Sequence, residues 1–405
     1  MAVMSKTRFS GRTGHIRRRR EVCAQGGGFT LVEVMLSLAM VTLLLVGVNM
    51  VFQMTSDTVG IGQAAAEVGR NNRAARAVME DDARHWAPDA PLFIIHNETL
   101  RVGPNEVLRR DYMAFPARGF FRRHTANTNA FVSSTTSGEA WIWYGHVMEF
   151  DRANQLVPEA QSNIFGRAAI LLKSPAALPP GEEFLPRTTW PTPLGAGIIQ
   201  RARMDLAGTT LEELRSDVML NRVRLNTGAP VANWWRPFVY RFECRPNIPK
   251  PLTGDGMALA STYFLGGCRE CIIEFAGDYL TQDNNAGALT YGNVIRIEPD
   301  GILDFIVTRP MPTAPVRGVR WYGLDRDTNG DRLPDVQPIG VLPRAVAQPN
   351  VAPIEMEYVN NANGSFYTCV WVNSAPVMVR VSLKLQDPDG KLREGQWVEY
   401  VLGQQ

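Results

Sequence analysis

Charge is missing where a chain of this composition would ordinarily carry it: from Val34 to Met54 there is no Asp, Glu, Lys or Arg. That gap excludes an ordinary amphipathic surface helix, which alternates polar and apolar faces within two turns. Catalytic signatures are missing as well. There is no G-x-S-x-G elbow, no H-E-x-x-H, no G-x-x-x-x-G-K-[ST] loop and no paired dinucleotide fingerprint, which removes the familiar motif-bearing enzyme classes. His85, His96, His124 and His146 sit apart, with no metal-ligand spacing among them. Cysteine is scarce, five in 405 residues, too few for a scaffold built on disulfides. No internal repeat is visible, so solenoids and propellers are excluded.

What is present divides the chain sharply. Residues 1–28 hold seven basic residues, including the run Arg17 to Arg20, against Glu21 alone, while the remainder is acidic by a net four charges. The body of the protein is therefore not expected to bind nucleic acid, and the basic cluster has a local purpose. Basic residues abutting an apolar run stay on the cytoplasmic side, so the chain beyond about residue 53 is expected outside. With Phe29 to Leu31 added, the uncharged run reaches about 24 residues, enough to cross a bilayer core of about 30 Å at 1.5 Å per residue. A secretory signal would instead have an apolar core of about 7–15 residues and a small-residue cleavage site after it. Here the small residues Gly26, Gly27 and Gly28 come before the run.

The helix is expected to continue past the membrane. Residues 62–86 are Ala-rich, with Val68, Ala75, Val78, Met79 and Trp86 at near-helical spacing and Arg76 placed to meet Glu80, until Pro88 ends the pattern. Beyond it come short strand-like runs such as "EAWIWYGHVMEF", "CIIEFAG" and "VMVRVSLKLQ", separated by Gly, Pro, Asn and Asp. One further helix is expected over residues 209–224, opened by a capping box from Thr209 to Glu212 and burying Leu211, Leu214, Val218 and Met219. Six prolines mark 174–197 as a surface insertion. The fold class is α+β: a long N-terminal helix, transmembrane over 29–53 and amphipathic over 54–87, packed on an antiparallel β-sheet head over 88–405.

The stretch "GGGFTLVEVMLSLAM" resembles the leader junction of type IV prepilins and of the pseudopilins of type II secretion. That resemblance implies a pilin-like fold and a leader, 1–28, that a membrane-embedded prepilin peptidase removes between Gly28 and Phe29, methylating the new N-terminus on Phe29. It makes the chain a substrate of an enzyme and not one itself. It also implies a role for Glu33. A carboxylate in a bilayer costs about 2.5–3.5 kcal/mol on insertion scales for Asp at a helix centre, and in this family the Glu pairs with the freed amine of a neighbouring subunit during assembly. The segments "RAVMEDDARHW" and "APVMVRVSLKLQDPDGKLREGQWVEYVL" resemble the J-type minor pseudopilin and related W-type minor pilins. Implied is a single-pass protein of the inner membrane, its N-terminus cytoplasmic and its head periplasmic. Its partners would be other pseudopilins or pilins near a filament tip, and no cofactor is required.

Two features of the head stand outside that resemblance. In "DRDTNGDRLPD", Asp325, Asp327 and Asn329 alternate before Gly330, with Asp331 and Asp335 following, as oxygens that converge on calcium do. Val336 stands where an EF-hand has its last Glu, so a shorter calcium loop and a bare Asx-rich turn both fit. Cys244, Cys268, Cys271 and Cys369 remain once Cys23 leaves with the leader. An even number in an oxidising compartment suggests disulfides, with three pairings open, and the C-x-x-C pair also admits redox or zinc chemistry. A membrane-anchored envelope receptor is the rival function.

Overall fold

The computed structural model describes residues 30–87, 89–103, 106–123, 135–151, 153, 155–178, 184–186, 205–223, 235, 238, 242–244, 262–307, 316–324, 355–361, 364–387 and 395–403. Its contacts divide the chain into two compact units, one ending at Val59 and one running from Gly60 to the C-terminus.

A single helix, α1 (Leu31–Arg84), contributes to both. In the first unit its side chains are exposed, Leu43 by 76% and Phe52 by 69%, with none of the apolar window buried inside the protein. Large aliphatic side chains so exposed along five turns require an apolar surrounding, and the length and composition suit a membrane crossing or a signal anchor. Hydroxyls in this stretch bond back to the helix itself: Ser37 Oγ donates to the Glu33 carbonyl at 2.7 Å and Thr55 Oγ1 to that of Val51 at 2.8 Å. They therefore carry no unsatisfied donor into lipid.

In the second unit the helix changes character. Ala64, Val68, Ala75, Met79 and Ala83 form one buried stripe at intervals of four and seven residues, which places them on one face at 3.6 residues per turn. Val78, expected in that stripe, is 36% exposed, and Asp82 is buried within it instead. The helix stops at Arg84, before Pro88; Trp86 already pairs with Ala117 as an isolated bridge.

The head follows as β1 (Phe93–Gly103), β2 (Glu106–Arg109), β3 (Tyr112–Arg122), β4 (Thr136–His146), β5 (Met148–Glu149), β6 (Ile164–Leu172), β7 (Leu185–Pro186) and β8 (Leu206–Gly208), then helix α2 (Leu211–Val223). Next come β9 (Glu243–Cys244), β10 (Tyr263–Gly266), β11 (Cys268–Ala276), β12 (Thr281–Gln282), β13 (Val294–Arg296), β14 (Phe305–Val307) and β15 (Arg317–Val319). The chain closes with β16 (Glu355–Asn361), β17 (Gly364–Trp371), β18 (Met378–Leu385) and β19 (Gln396–Gly403). The main sheet has the order β16-β17-β1-β3-β4-β6-β8-β7, antiparallel except where β8 pairs β6 and β7; a second sheet is β11-β18-β19.

Both faces of the main sheet are buried, which explains the continuous apolar run of β4. Ile142 and Tyr144 join Phe93, Ile95, Met113 and Phe115 in the core beside the α1 stripe and the second sheet. Trp141 and Trp143 point the other way, joining Ile94, Ala114 and the Leu211, Leu214 and Val218 face of α2. The tryptophans of β4 are thus core residues, and Met219 is 38% exposed. The capping box of α2 lies one residue later than the sequence suggests: Thr210 N donates to Glu213 Oε2 at 2.9 Å and Glu213 N to Thr210 Oγ1 at 3.2 Å. Both T-x-x-E registers exist in "TTLEEL". The observed one lets Leu211 N, an unsatisfied donor of the first turn, reach Glu139 Oε2 at 2.8 Å.

Candidate processing and assembly site

Gly28 and Phe29 lie outside the described residues, so the described part of the junction begins at Thr30. There the chain makes a reciprocal cap. Thr30 N donates to Glu33 Oε2 at 2.9 Å, Thr30 Oγ1 donates to the same oxygen at 3.0 Å, and Glu33 N donates to Thr30 Oγ1 at 3.3 Å. Thr30 is therefore the N-cap of α1 and Glu33 its N3 residue, a full capping box. The Thr30-x-x-Glu33 spacing is itself a local sequence signal for this cap.

This cap changes the accounting for Glu33. Its carboxylate accepts two donors from its own helix end and sits by the positive end of the helix dipole, so its charge is compensated within the single chain. A carboxylate has about four lone-pair positions, leaving room for an outside donor. The geometry can therefore start a helix at the edge of an apolar span and still present an anion to a cationic partner.

The other sequence candidates are distributed differently. Asp325, Asp327, Asn329, Asp331 and Asp335 all fall outside the described residues, as do His124 and most of 174–197. Among the described residues no three His, Cys, Asp or Glu side chains gather as a metal site. His85 Nδ1 contacts the Asp81 carbonyl at 2.8 Å and His146 Nε2 that of Cys268 at 2.9 Å, each held by backbone.

Cys268, Cys271 and Cys369 are free, buried thiols, so the disulfide expectation finds no bond among these three; the Cys244 side chain lies outside the described set. A register shift between Cys268 and Glu270 lets Cys268 and Cys271 both face the core, where strict alternation would oppose them. Burial pushes the Cys268 thiol up to about 12 and raises Cys271 and Cys369 also. Thiols held protonated are weak nucleophiles for disulfide exchange.

Sequence reasoning missed Asp82 and Asp111. Asp111 is fully buried and accepts from Asn97 Nδ2 (2.7 Å), Glu98 N (3.0 Å), Ile273 N (2.7 Å) and Arg109 NH2 (2.7 Å), so one carboxylate ties β1 to β11. Asp82 joins α1 to the main sheet through Arg167 and Tyr144. Asp82 had no local signal, because Tyr144 and Arg167 stand 62 and 85 residues away, while Asp111 has Arg109 two residues before it but meets Ile273 only through the fold. Comparison with protein-family models, with curated proteins and with solved structures finds no match.

Proposed function

We propose that the chain is a prepilin-like subunit, a minor pseudopilin that assembles near the tip of a type II secretion pseudopilus and begins or caps that filament. The observation that carries this reading is the junction "GGGFTLVE" at the start of a capped helix whose residues 34–54 carry no charge: α1 starts at Leu31, the third residue past the Gly28–Phe29 bond. Cleavage there would remove the basic leader and leave a free amine one residue before the N-cap, within reach of a Glu33 carboxylate. The exposed aliphatic surface of the first unit supports packing among lipids and then among other stems. The mostly antiparallel head, with a buried helix stripe against it, is compatible with a pilin-like architecture.

On this reading the leader stays in the cytoplasm and the head reaches the periplasm across the inner membrane. Selection of subunits, not catalysis, is the task, and the prepilin peptidase is the enzyme that acts on it. The same junction would serve a minor type IV pilin, a second branch that the W-type resemblance favours. Co-expression with a prepilin peptidase tests the reading. Wild-type protein should gain gel mobility corresponding to loss of residues 1–28, and Gly28→Leu should accumulate as the longer form, still membrane-bound. Equal mobility of the two proteins, with and without the peptidase, contradicts it.

A further inference from the structure

The second sheet ends on β19. That strand pairs β18 residue for residue, from Met378 opposite Gly403 to Leu385 opposite Gln396, over eight residues without a bulge. Among the described residues no strand pairs β19 on its other side and no loop backbone bonds to it. An antiparallel edge strand turns the N–H and C=O of every second residue outward, so β19 presents a row of backbone donors and acceptors. Natural edges are commonly closed by Lys, Pro, a bulge or a very short strand, and β19 has none of these. Its inner side chains Val398, Tyr400 and Leu402 belong to the core, and the Tyr400 hydroxyl donates to Asn72 Oδ1 on α1, which holds the strand in place. On the outer face stand Trp397, 46% exposed, then Glu399, then Val401, 50% exposed. The cations beside them on β18 are engaged: Lys384 meets Glu270 at 2.8 Å and Arg380 meets Glu274 at 2.7 Å. Glu399, opposite Ser382, has no ion-pair partner among the described residues.

We propose that β19 is extended by a strand of another protein, one that sets a Lys or Arg between two apolar residues on its outer face. In strand addition the main-chain hydrogen bonds supply affinity and the alternate side chains supply selection. The basic residue stands opposite Glu399, and its apolar neighbours stand opposite Trp397 and Val401. A second copy of β19 is a poorer occupant. Antiparallel self-pairing that keeps inner face with inner face is centred on Glu399 or on Tyr400. The first sets two carboxylates against each other, and the second sets each Glu399 against Val401, so neither answers the charge. The carboxylate therefore selects against self-association and for a basic strand. This edge belongs to the head and does not depend on the prepilin reading.

Fluorescence anisotropy on the full chain in detergent tests this. The probe is the peptide Ser-Val-Thr-Lys-Thr-Val-Ser, dye-labelled at one end and amidated at the other, which shows Val, Lys and Val on one face in either chain direction. Saturable binding in the micromolar to millimolar range is expected for so short a strand. The same peptide with Glu in place of Lys should bind at least about fivefold more weakly. Glu399→Lys, at an exposed position, should fold normally and reverse that preference. Only alternate N–H groups of an added strand face β19, so N-methylation of one alternating set should abolish binding and of the other set should spare it. Charge attraction alone would not separate the two sets. The inference is overturned if the Lys peptide does not saturate, if folded Glu399→Lys protein keeps the wild-type preference, or if both methylated sets bind alike. It is also overturned if light scattering finds a dimer that Val401→Asp dissociates, which would assign the edge to a second copy.

Discussion

Asp82→Ala is expected to destabilise the head by about 3–5 kcal/mol, the usual cost of removing one partner from a buried ion pair. Asp82 is 3% exposed. It receives Arg167 Nε and NH2, both at 2.7 Å, in a two-pronged contact, and the Tyr144 hydroxyl as a third donor. Burial and the neighbouring carboxylate push the Tyr144 hydroxyl well up, so it remains a donor across the physiological range. Alanine leaves the buried Tyr144 phenol without its acceptor and strips the Arg167 guanidinium, 22% exposed, of its two-pronged partner. Replacing both charged residues, as Asp82→Leu with Arg167→Met, should restore much of the loss, because the pair itself repays little more than its own desolvation. Urea unfolding read by tryptophan emission measures this, since Trp141 and Trp143 are buried in β4. A loss below about 1 kcal/mol for Asp82→Ala, the level of a surface pair, would mean the contact is not desolvated as described. The pair pins the last turns of α1 to β4 and β6.

Glu33→Val should leave the protein in the membrane yet reduce its incorporation into filaments by about ten- to a hundredfold, the equivalent of about 1.5–3 kcal/mol for a hydrogen bond to a charged group. The carboxylate closes the cap on Thr30, and the prepilin reading gives it a second role, meeting a neighbour's amine. Glu33→Gln separates them. Glutamine still completes a capping box, since that pattern accepts Glu or Gln at N3, but offers no charge to an ammonium. If charge pairing drives assembly, Glu33→Gln behaves like Glu33→Val. If Glu33→Gln assembles as the wild type does, the residue is only a cap. Cross-linking of membrane fractions to other stem-bearing subunits would supply the incorporation ratio.

Much of α1 was legible because its signals are local: an uncharged run, an Ala-rich continuation and a helical interval of apolar residues. The stripe was misread where tertiary contact overrules periodicity. Val78 looks like a core residue and Asp82 a surface one, but a guanidinium 85 positions along the chain reverses the latter. The same holds at α2, where two overlapping T-x-x-E registers are equivalent by sequence, and the side chain of Glu139 on β4 meets the first-turn N–H in the observed one. Strands were visible as apolar runs, while the division of β4 into alternating halves of two cores needed the sheet itself. The capping box at Thr30 was legible, being four residues long. The open edge of β19 was not, since its place at the end of the β11-β18-β19 sheet is set only by the pairing order.

The central claim, that the junction before α1 is processed as a prepilin, is tested most directly by the mass of the N-terminal peptide of protein recovered from its own membrane. A peptide beginning at Phe29 and heavier by one methyl group is the predicted result. An intact leader, or a first residue beyond the apolar run, would contradict it, and the head would then be a receptor or enzyme on an ordinary anchor.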